Sequence, residues 1–221
     1  MPNLSNLEQD VTRVRHLFEF DKEIAREFTN KENPIILGID EVGRGPIAGP
    51  LAAGGVIFKT CDYIQFLNDS KKVTEKRRPI VAEKIKENSK FFKVSMVDAK
   101  TIDDIGISQS LKRAFTGVIK TAEKNNFFPD VILIDGNFID LCDDRVKCIV
   151  KGDQKSASIA ASSIIAKVER DKFMIEISRN FPEFRWEKNK GYGTREHIDA
   201  IKASKISPYH RKTFLKNFHF D

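Results

Sequence analysis

The spacing of apolar residues at the start of the chain predicts a helix over residues 4–29. The positions recur at intervals of three and four: Leu4, Leu7, Val11, Val14, Phe18, Ile24 and Phe28. The pattern covers about two heptads, fewer than a coiled coil needs, so we expect a helix docked on a domain. A polar run ending at Pro34 then breaks the pattern. We expect an N-terminal helical extension over residues 1–33 and a single domain over residues 34–221.

Short apolar runs bounded by glycine, proline or polar residues predict the strands of a sheet. Residues 34–58, PIILGIDEVGRGPIAGPLAAGGVIF, predict a strand, a tight turn at Gly43-Arg44-Gly45 and a second buried strand. Further strands are expected over residues 90–97, 131–134 and 147–150.

Helical patterns separate these runs. Thr74 has the side chain of an N-cap, and we expect it to start a helix through Ile85. Helical spacing resumes at Ile102 and continues in a long core-facing helix up to Ala122. The longest helix is predicted over residues 156–181, and its early small residues would let it approach a sheet closely.

The end of the chain predicts a helical part. A flexible loop is expected over residues 190–193, and Thr194 then caps a further helix. Pro208 is expected to open a last short helix through Phe218. Strands that alternate with helices in this order predict an α/β protein with a mixed central sheet.

Composition narrows the class of protein without identifying it. The 221 residues carry a net charge of +6, which fits a polyanionic partner but does not establish one. No segment approaches the roughly 18 consecutive apolar residues of a membrane span, and the start lacks the features of a secretory signal. The three cysteines match no zinc spacing, so reduced thiols and a cytoplasmic location are expected.

Two adjacent carboxylates, Asp40 and Glu41, lie at the end of the first predicted strand. Such charges are costly to bury unless they are paired, hydrogen-bonded or bound to metal. One interpretation is a salt bridge to Arg44, and the other is a metal site beside a turn whose glycines let a ligand approach the backbone. Neighbouring strand residues point to opposite faces, so the two acids can share a site only if the strand ends or twists there.

Asp135 and Asp153 also follow predicted strands and lie next to glycine. In open α/β sheets, sites are built at the carboxyl ends of strands. Acids brought together there would repel one another without cations, and oxygen-only ligands suit Mg²⁺ or Mn²⁺ better than zinc. The acids therefore predict a pair of divalent metal ions, an arrangement that can hydrolyse a phosphodiester.

Five segments, in chain order, closely resemble bacterial ribonuclease HII: GIDEVGRGPIAGP, NDSKK, LIDGN, KGDQKSASIAASSIIAKVERDKFM and KGYGT. The resemblance spans about residues 34–214, and the Gly-Arg-Gly turn favours this branch over the related ribonuclease HIII. It implies a ribonuclease H-like fold, in which a type-2 ribonuclease H domain over residues 34–221 has a mixed central sheet flanked by helices and a C-terminal helical part. It also implies hydrolysis of the RNA strand of RNA–DNA hybrids. Incision 5′ of single ribonucleotides in duplex DNA, as in ribonucleotide excision repair, would leave 3′-hydroxyl and 5′-phosphate ends.

The resemblance also implies roles for individual residues. The metal-binding and catalytic acids of the family, which use Mn²⁺ or Mg²⁺, match Asp40, Glu41, Asp135 and Asp153. The turn that recognises the 2′-hydroxyl of the ribonucleotide matches Gly43, Arg44 and Gly45. Backbone groups at such a turn can pair with the 2′-hydroxyl, which distinguishes RNA from DNA.

Two further residues match substrate contacts of the family. Lys71 matches a phosphate-contacting lysine, although a solvated lysine is the simpler interpretation of the residue alone. Tyr192 matches a tyrosine that stacks at the RNA–DNA junction; a core tyrosine is the alternative, but its place between two glycines favours exposure. Asp171, deep in a helix beside Arg170, is interpreted as a structural partner rather than a fourth acid.

The expected substrates are RNA–DNA hybrids and DNA duplexes that contain ribonucleotides. We expect a monomer with no membrane association, and leave open a replication-clamp partner and the role of residues 1–33. One rival class is a non-catalytic module that binds nucleic acid through basic residues, which leaves the carboxylates unexplained. Another nuclease of the ribonuclease H-like superfamily would explain the acids but neither the Gly-Arg-Gly turn nor Tyr192.

Overall fold

A computed structural model describes residues 4–137, 139 and 141–216, without the side chains of residues 4–6. The helices are α1 (Leu4–Ala25), α2 (Arg78–Glu87), α3 (Ala99–Lys124), α4 (Ala157–Ser178), α5 (Trp186–Asn189), α6 (Arg195–Ser204) and α7 (Lys212–Leu215). The strands are β1 (Ile36–Val42), β2 (Leu51–Phe58), β3 (Ser89–Val97), β4 (Val131–Asp135) and β5 (Val146–Ile149). Short 3₁₀ turns lie at Gly152–Gln154 and Pro182–Phe184.

The strands form one mixed sheet in the order β3-β2-β1-β4-β5. The pairs β1–β2 and β2–β3 are antiparallel, whereas β4 is parallel to both β1 and β5. The predicted α/β class with a mixed central sheet is confirmed. Among the described residues, no helix combines the length and apolar composition needed to cross a membrane.

Several apolar cores lie between the sheet and its helices. One joins buried residues of α1, α2 and α4 with Val56 of β2, and another joins α3 with β1, β2 and β4. As the small residues predicted, α4 approaches the sheet closely: a Cβ at Gly38 would lie 2.2 Å from the Ser158 backbone, and one at Gly54 2.2 Å from the Ser162 carbonyl. The Ser162 hydroxyl donates to the Gly38 carbonyl at 2.7 Å. This contact sets α4 against the strand that carries Asp40.

Two predicted helix starts are wrong. α2 begins at Arg78 rather than after Thr74, whose carbonyl instead accepts from the amides of Arg77 and Arg78 in a preceding turn. Pro79 explains the shift, because proline has no N–H and is tolerated best in the first turn of a helix. α7 begins at Lys212 rather than Pro208, since Arg211 is extended. The predicted end at Phe218 lies outside the described residues.

The long helix α3 covers the predicted helical region from Ile102 to Ala122 but is interrupted near its start. Its residues span Ala99–Lys124, but Gly106 has a φ of 78° and a ψ of 163°, which breaks the helical conformation. A positive φ favours glycine, so the position of this kink follows from the residue type.

Candidate active site

Three carboxylates meet at the carboxyl ends of β1 and β4. Ile39 of β1 pairs with Ile134 of β4 in parallel register, so the next residues, Asp40 and Asp135, follow side by side. Asp153 comes from the 3₁₀ turn that follows β5. One carboxylate oxygen from each of these residues lies within 4.8 Å of the others. We call Asp40, Asp135 and Asp153 the acidic cluster.

Backbone amides hold the cluster in place. The Gly152 amide donates to Asp135 Oδ1 at 2.6 Å, which ties the turn carrying Asp153 to the end of β4. The Glu41 amide donates to Asp40 Oδ1 at 2.7 Å. The Ser163 hydroxyl of α4 lies close enough to Asp40 to lower its pKa, so the packed helix as well as the strand contributes to the surroundings of this carboxylate.

Glu41 lies next to the acidic cluster but outside it. β1 continues through Val42, so Asp40 and Glu41 keep the opposite directions of neighbouring strand residues. Glu41 Oε1 lies 3.3 Å from Arg44 Nη1, which is the salt bridge that the sequence left open. The Glu41 charge still raises the pKa of Asp40. The predicted salt bridge to Arg44 is therefore present for Glu41, while Asp40 lies with the other carboxylates.

The electrostatics of the cluster favour a cation. Burial, followed by the charges of Glu41 and Asp135, raises the pKa of Asp40 well above its usual range. Burial and the neighbouring Asp69 and Asp135 charges raise the pKa of Asp153 to about 6. Among the described residues, no member of the cluster forms a salt bridge. Converging oxygen donors that repel one another fit hard divalent cations such as Mg²⁺ or Mn²⁺.

Asp69 is an acid beside the cluster that the sequence analysis missed. It is buried, its charge raises the pKa of Asp153, and its Oδ1 accepts from the Lys71 amide at 2.9 Å. The charge of Lys71 lowers the pKa of Asp153, so this lysine lies near the acids, as a phosphate contact there would require. The available signal was a carboxylate inside the NDSKK segment, of which only Lys71 was assigned a role.

Two buried arginines hold the segment from Gly43 to Pro50, and Arg211 bonds the Gly43–Gly45 turn itself. Arg211 donates to the carbonyls of Gly43 at 2.7 Å, Arg44 at 3.0 Å and Gly49 at 2.9 and 3.0 Å. Arg170 donates to the carbonyls of Pro50, Lys190 and Ala48. We call Arg170 and Arg211 the arginine pair. Among the described residues, every hydrogen-bond acceptor of the pair is a backbone carbonyl.

The two glycines of the turn differ in their surroundings. Gly43 has a φ of 88°, and a Cβ there would lie 2.3 Å from Arg170 Nε. The protein itself therefore requires glycine at this position. A Cβ on Gly45 would meet no atom within 4 Å. Close approach of a ligand remains an explanation for Gly45.

Tyr192 is exposed rather than part of the core. Its side chain is 47% accessible, although its carbonyl accepts a hydrogen bond from the buried His197 at 2.8 Å. The amides of Ile47 and Ala48 both donate to Gly191 O, which joins this loop to the segment after the Gly43–Gly45 turn. The predicted loop at residues 190–193 is therefore anchored through its backbone.

Asp171 lies outside the acidic cluster. It pairs with Lys167 at 2.8 Å and lies 4.0 Å from Arg78, which itself donates to the Ser70 carbonyl. The interpretation of Asp171 as a structural partner agrees with these contacts. The Arg78 side chain is largely buried, so it does not share an exposed basic surface with Lys71 and Lys72.

Known proteins resemble this chain in sequence and in fold. A family model described as Ribonuclease HII matches residues 37–221. Ribonuclease HII of Clostridium perfringens is 42% identical over 97% of this chain and 77% of its own length. The structure of a PCNA:RNase HII complex from Archaeoglobus fulgidus matches with a TM-score of 0.69 and 26% identity, covering 84% of this chain and 95% of that chain.

The fold is also shared with a metal-bound protein. The structure of Bst-RNase HIII in complex with Mn²⁺ has a TM-score of 0.62 at 19% identity, over 86% of this chain and 66% of that one. This likeness concerns the fold alone. The extent of the family match and the identity to the Clostridium protein decide the assignment, and this chain belongs to the ribonuclease HII family.

Proposed function

We propose that this chain, a member of a family of endoribonucleases that act on RNA–DNA hybrids, also incises duplex DNA 5′ of single embedded ribonucleotides. The products would carry 3′-hydroxyl and 5′-phosphate ends. The observation that carries the proposal is the acidic cluster, within 4.8 Å, beside a turn whose backbone is fixed by the buried Arg211. The first feature suits phosphodiester hydrolysis, and the second suits recognition of a ribose.

Asp40, Asp135 and Asp153 are proposed to hold divalent metal, with Glu41 completing the set of acids. Mn²⁺ and Mg²⁺ both fit these oxygen donors. When bound, such ions would lower the pKa of water and offset the charge that develops on the phosphate. The protein's own part is to keep the carboxylates oriented through the amides of Glu41 and Gly152.

Gly43, Arg44 and Gly45 are proposed to bind the 2′-hydroxyl through the backbone of their turn. The arginine pair engages carbonyls of this region from inside the protein, which leaves the other side of the turn for the substrate. Arg44 has an exposed side chain, and Lys71 is proposed to contact a phosphate. Tyr192 would supply a stacking surface at the junction.

The cellular setting follows the same reasoning. We propose a monomer that works in ribonucleotide excision repair in the cytoplasm. The Archaeoglobus relative was solved in complex with PCNA, and a replication clamp is a candidate partner for this chain on that analogy. The N-terminal 33 residues are proposed to be an extension of the type-2 domain.

The experiment that tests the function uses matched duplexes. One contains a single ribonucleotide in DNA, one is an RNA–DNA hybrid, and one is all DNA. We expect Mn²⁺- or Mg²⁺-dependent cleavage of the first two, abolished by chelation, with 3′-hydroxyl and 5′-phosphate ends. Binding without cleavage would support the rival module. Cleavage of the all-DNA duplex at a similar rate would support a less specific nuclease.

Tyr192→Ala tests the junction contact. Aromatic–base stacking is worth about 1–3 kcal/mol, so cleavage at a single ribonucleotide should fall more than cleavage of a long hybrid, which offers many ribose contacts. Both rates are measured at the same salt concentration, since phosphate contacts make affinity depend on salt. The control is Phe128→Ala. Phe128 is also an exposed aromatic residue, but it precedes β4 and so lies at the end of that strand away from the acidic cluster. An equal loss on both substrates would remove the junction role.

A further inference from the structure

Asp21 is a buried carboxylate within the apolar face of α1. Val14, Leu17, Phe18 and Ala25 share this face at helical spacing and are buried with it. Asp21 is only 4% exposed, and burial raises its pKa to about 6. Among the described residues, its Oδ1 has no hydrogen-bond partner. An apolar side chain would suit the helix spacing better, so the carboxylate needs a reason of its own.

The reason lies at the start of α4. Asp21 Oδ2 accepts from the Ser158 amide at 2.8 Å, and the hydroxyls of Ser156 and Ser158 lie close enough to lower the pKa of Asp21. Free N–H groups and the helix dipole favour a negative charge at a helix N-terminus. Ser156 is the N-cap of α4 and accepts from the Ile159 amide at 3.2 Å. Asp21 is thus a second cap on α4, supplied by another helix.

The first turn of α4 continues directly into the acidic cluster. The Ser156 amide donates to the Gly152 carbonyl at 2.8 Å, and the Gly152 amide donates to Asp135 Oδ1 at 2.6 Å. Asp153 lies within the turn that these two bonds enclose. A run of hydrogen bonds therefore joins Asp21 on α1 to Asp135 and brackets Asp153.

Apolar packing fixes the distance between the two helices. Val14, Leu17 and Phe18 of α1 share one core with buried residues of α4, among them Ala157, Ala161 and Ile164. The cap is therefore set by a packed interface and not by a mobile arm.

We propose that Asp21 is a positioning residue for the catalytic acids: it fixes the first turn of α4 and, through it, the turn that presents Asp153. Asp21 lies before residue 37, where the family match begins. The proposal therefore gives α1 a role in positioning the catalytic acids. The inference rests on the proposed metal-binding role of Asp153.

The test compares Asp21→Ala and Asp21→Asn with Glu23→Ala, which removes an exposed carboxylate from the same helix. Mn²⁺ binding is measured without substrate by electron paramagnetic resonance. Hybrid cleavage is measured as kcat, KM and half-saturating Mn²⁺, well below each variant's melting temperature. Mutation of a residue that orients a metal ligand typically lowers metal affinity or activity by about 10–100-fold. We expect Asp21→Ala to weaken Mn²⁺ binding by about tenfold, with the KM for the hybrid within about twofold.

Amide hydrogen exchange provides a local readout. In the metal-free protein, Asp21→Ala should speed exchange at Gly152, Ser156 and Ser158 while the amides of β3 are unchanged. Asp21→Asn, which keeps an oxygen for the Ser158 amide, should fall between wild type and Asp21→Ala in Mn²⁺ affinity. Glu23→Ala should match wild type.

A lower melting temperature with unchanged Mn²⁺ affinity and unchanged exchange in Asp21→Ala would overturn the proposal and leave a purely structural cap. If Asp21→Ala does not fold, Asp21→Asn decides, and wild-type Mn²⁺ affinity in that variant overturns the proposal. Absence of cleavage by the wild-type protein would instead refute the proposed function. The metal-binding and exchange measurements would still report on Asp21 in that case.

Discussion

Two groups of like charges are buried in this protein, the acidic cluster and the arginine pair, and they are stabilised differently. Each arginine donates to several backbone carbonyls, so the protein itself satisfies the buried guanidinium groups. The charges repel one another in both groups: Arg170 lowers the pKa of Arg211, and Asp135 raises the pKa of Asp40 and Asp153. The carboxylates differ in that they accept only a few amide hydrogen bonds. The arginine pair is complete without a ligand, whereas the acidic cluster is not.

This difference suggests that the arginine pair serves the stability of the fold and the acidic cluster serves the reaction. Buried charges with satisfied hydrogen bonds hold a structure in one arrangement, and removing them leaves unpaired carbonyls. Buried carboxylates that repel one another and have few hydrogen-bond donors are costly to the fold and gain from a bound cation. Changes in the arginine pair should therefore act mainly on stability, and changes in the acidic cluster mainly on activity.

The largest effect is expected from Asp40→Asn or Asp135→Asn. Each substitution removes a charge from the acidic cluster but keeps the side-chain shape, and turnover at saturating Mn²⁺ should fall by at least about a thousandfold, or about 4 kcal/mol. The melting temperature of the metal-free protein should not fall, because repulsion is relieved. The control is Asp171→Asn, a carboxylate outside the cluster, which should lower stability more than turnover. Near-wild-type turnover in either cluster variant would contradict the site.

Arg211→Gln should have the opposite profile. The carbonyls of Gly43, Arg44 and Gly49 would lose their donors, and a buried unsatisfied acceptor costs about 1–3 kcal/mol. We expect the free energy of unfolding to fall by about 3 kcal/mol or more, measured by urea denaturation. Arg195→Gln, at an exposed position, is the control. Equal stability of the two variants would show that the arginine pair is not structural.

The two glycines of the turn are expected to differ in the same way, with Gly43 affecting stability and Gly45 affecting activity. Gly43→Ala should cost about 1–3 kcal/mol of stability, because alanine is strained at a positive φ and would meet Arg170. Gly45→Ala should fold normally and lose cleavage at single ribonucleotides, since its Cβ would stand where the ribose approaches. Thermal melts and cleavage rates on folded protein separate the two effects. Wild-type cleavage by Gly45→Ala would mean that no ribose lies against this residue.

The smallest effect concerns pH. The pKa of Asp153 is about 6 in the folded protein, above its ordinary value of 3.8, so its protonated form favours folding. This contribution is fully present below pH 3.8 and is lost as pH rises through about 6. Metal-free Asp153→Asn should therefore exceed wild type in melting temperature at pH 7.5, and the difference should shrink as the pH is lowered towards 4. A difference that is independent of pH would contradict the raised pKa.

The sequence predicted the parts of the site that depend on local pattern. Asp40 and Asp135 end apolar runs, and strand ends in α/β sheets are where sites form. The arginine pair and Asp69 could not be found this way, because their roles depend on contacts between distant segments. Asp21 did leave a signal, a carboxylate at an apolar position of a helix, but its partner Ser158 is known only from the packing.

The central position of β1 has a consequence for how the site assembles. β2 follows β1 along the chain and pairs with it, and β3 then pairs with β2, both in antiparallel register. In contrast, β4 returns to β1 only after α3 has crossed over. Non-local pairing of this kind carries the entropy of closing a long loop and slows folding. Asp40 and Asp135 meet only in that step, so no nascent chain that ends before β4 can contain the acidic cluster. A catalytically competent site therefore requires that the most non-local strand pairing of the sheet, between β1 and β4, has formed.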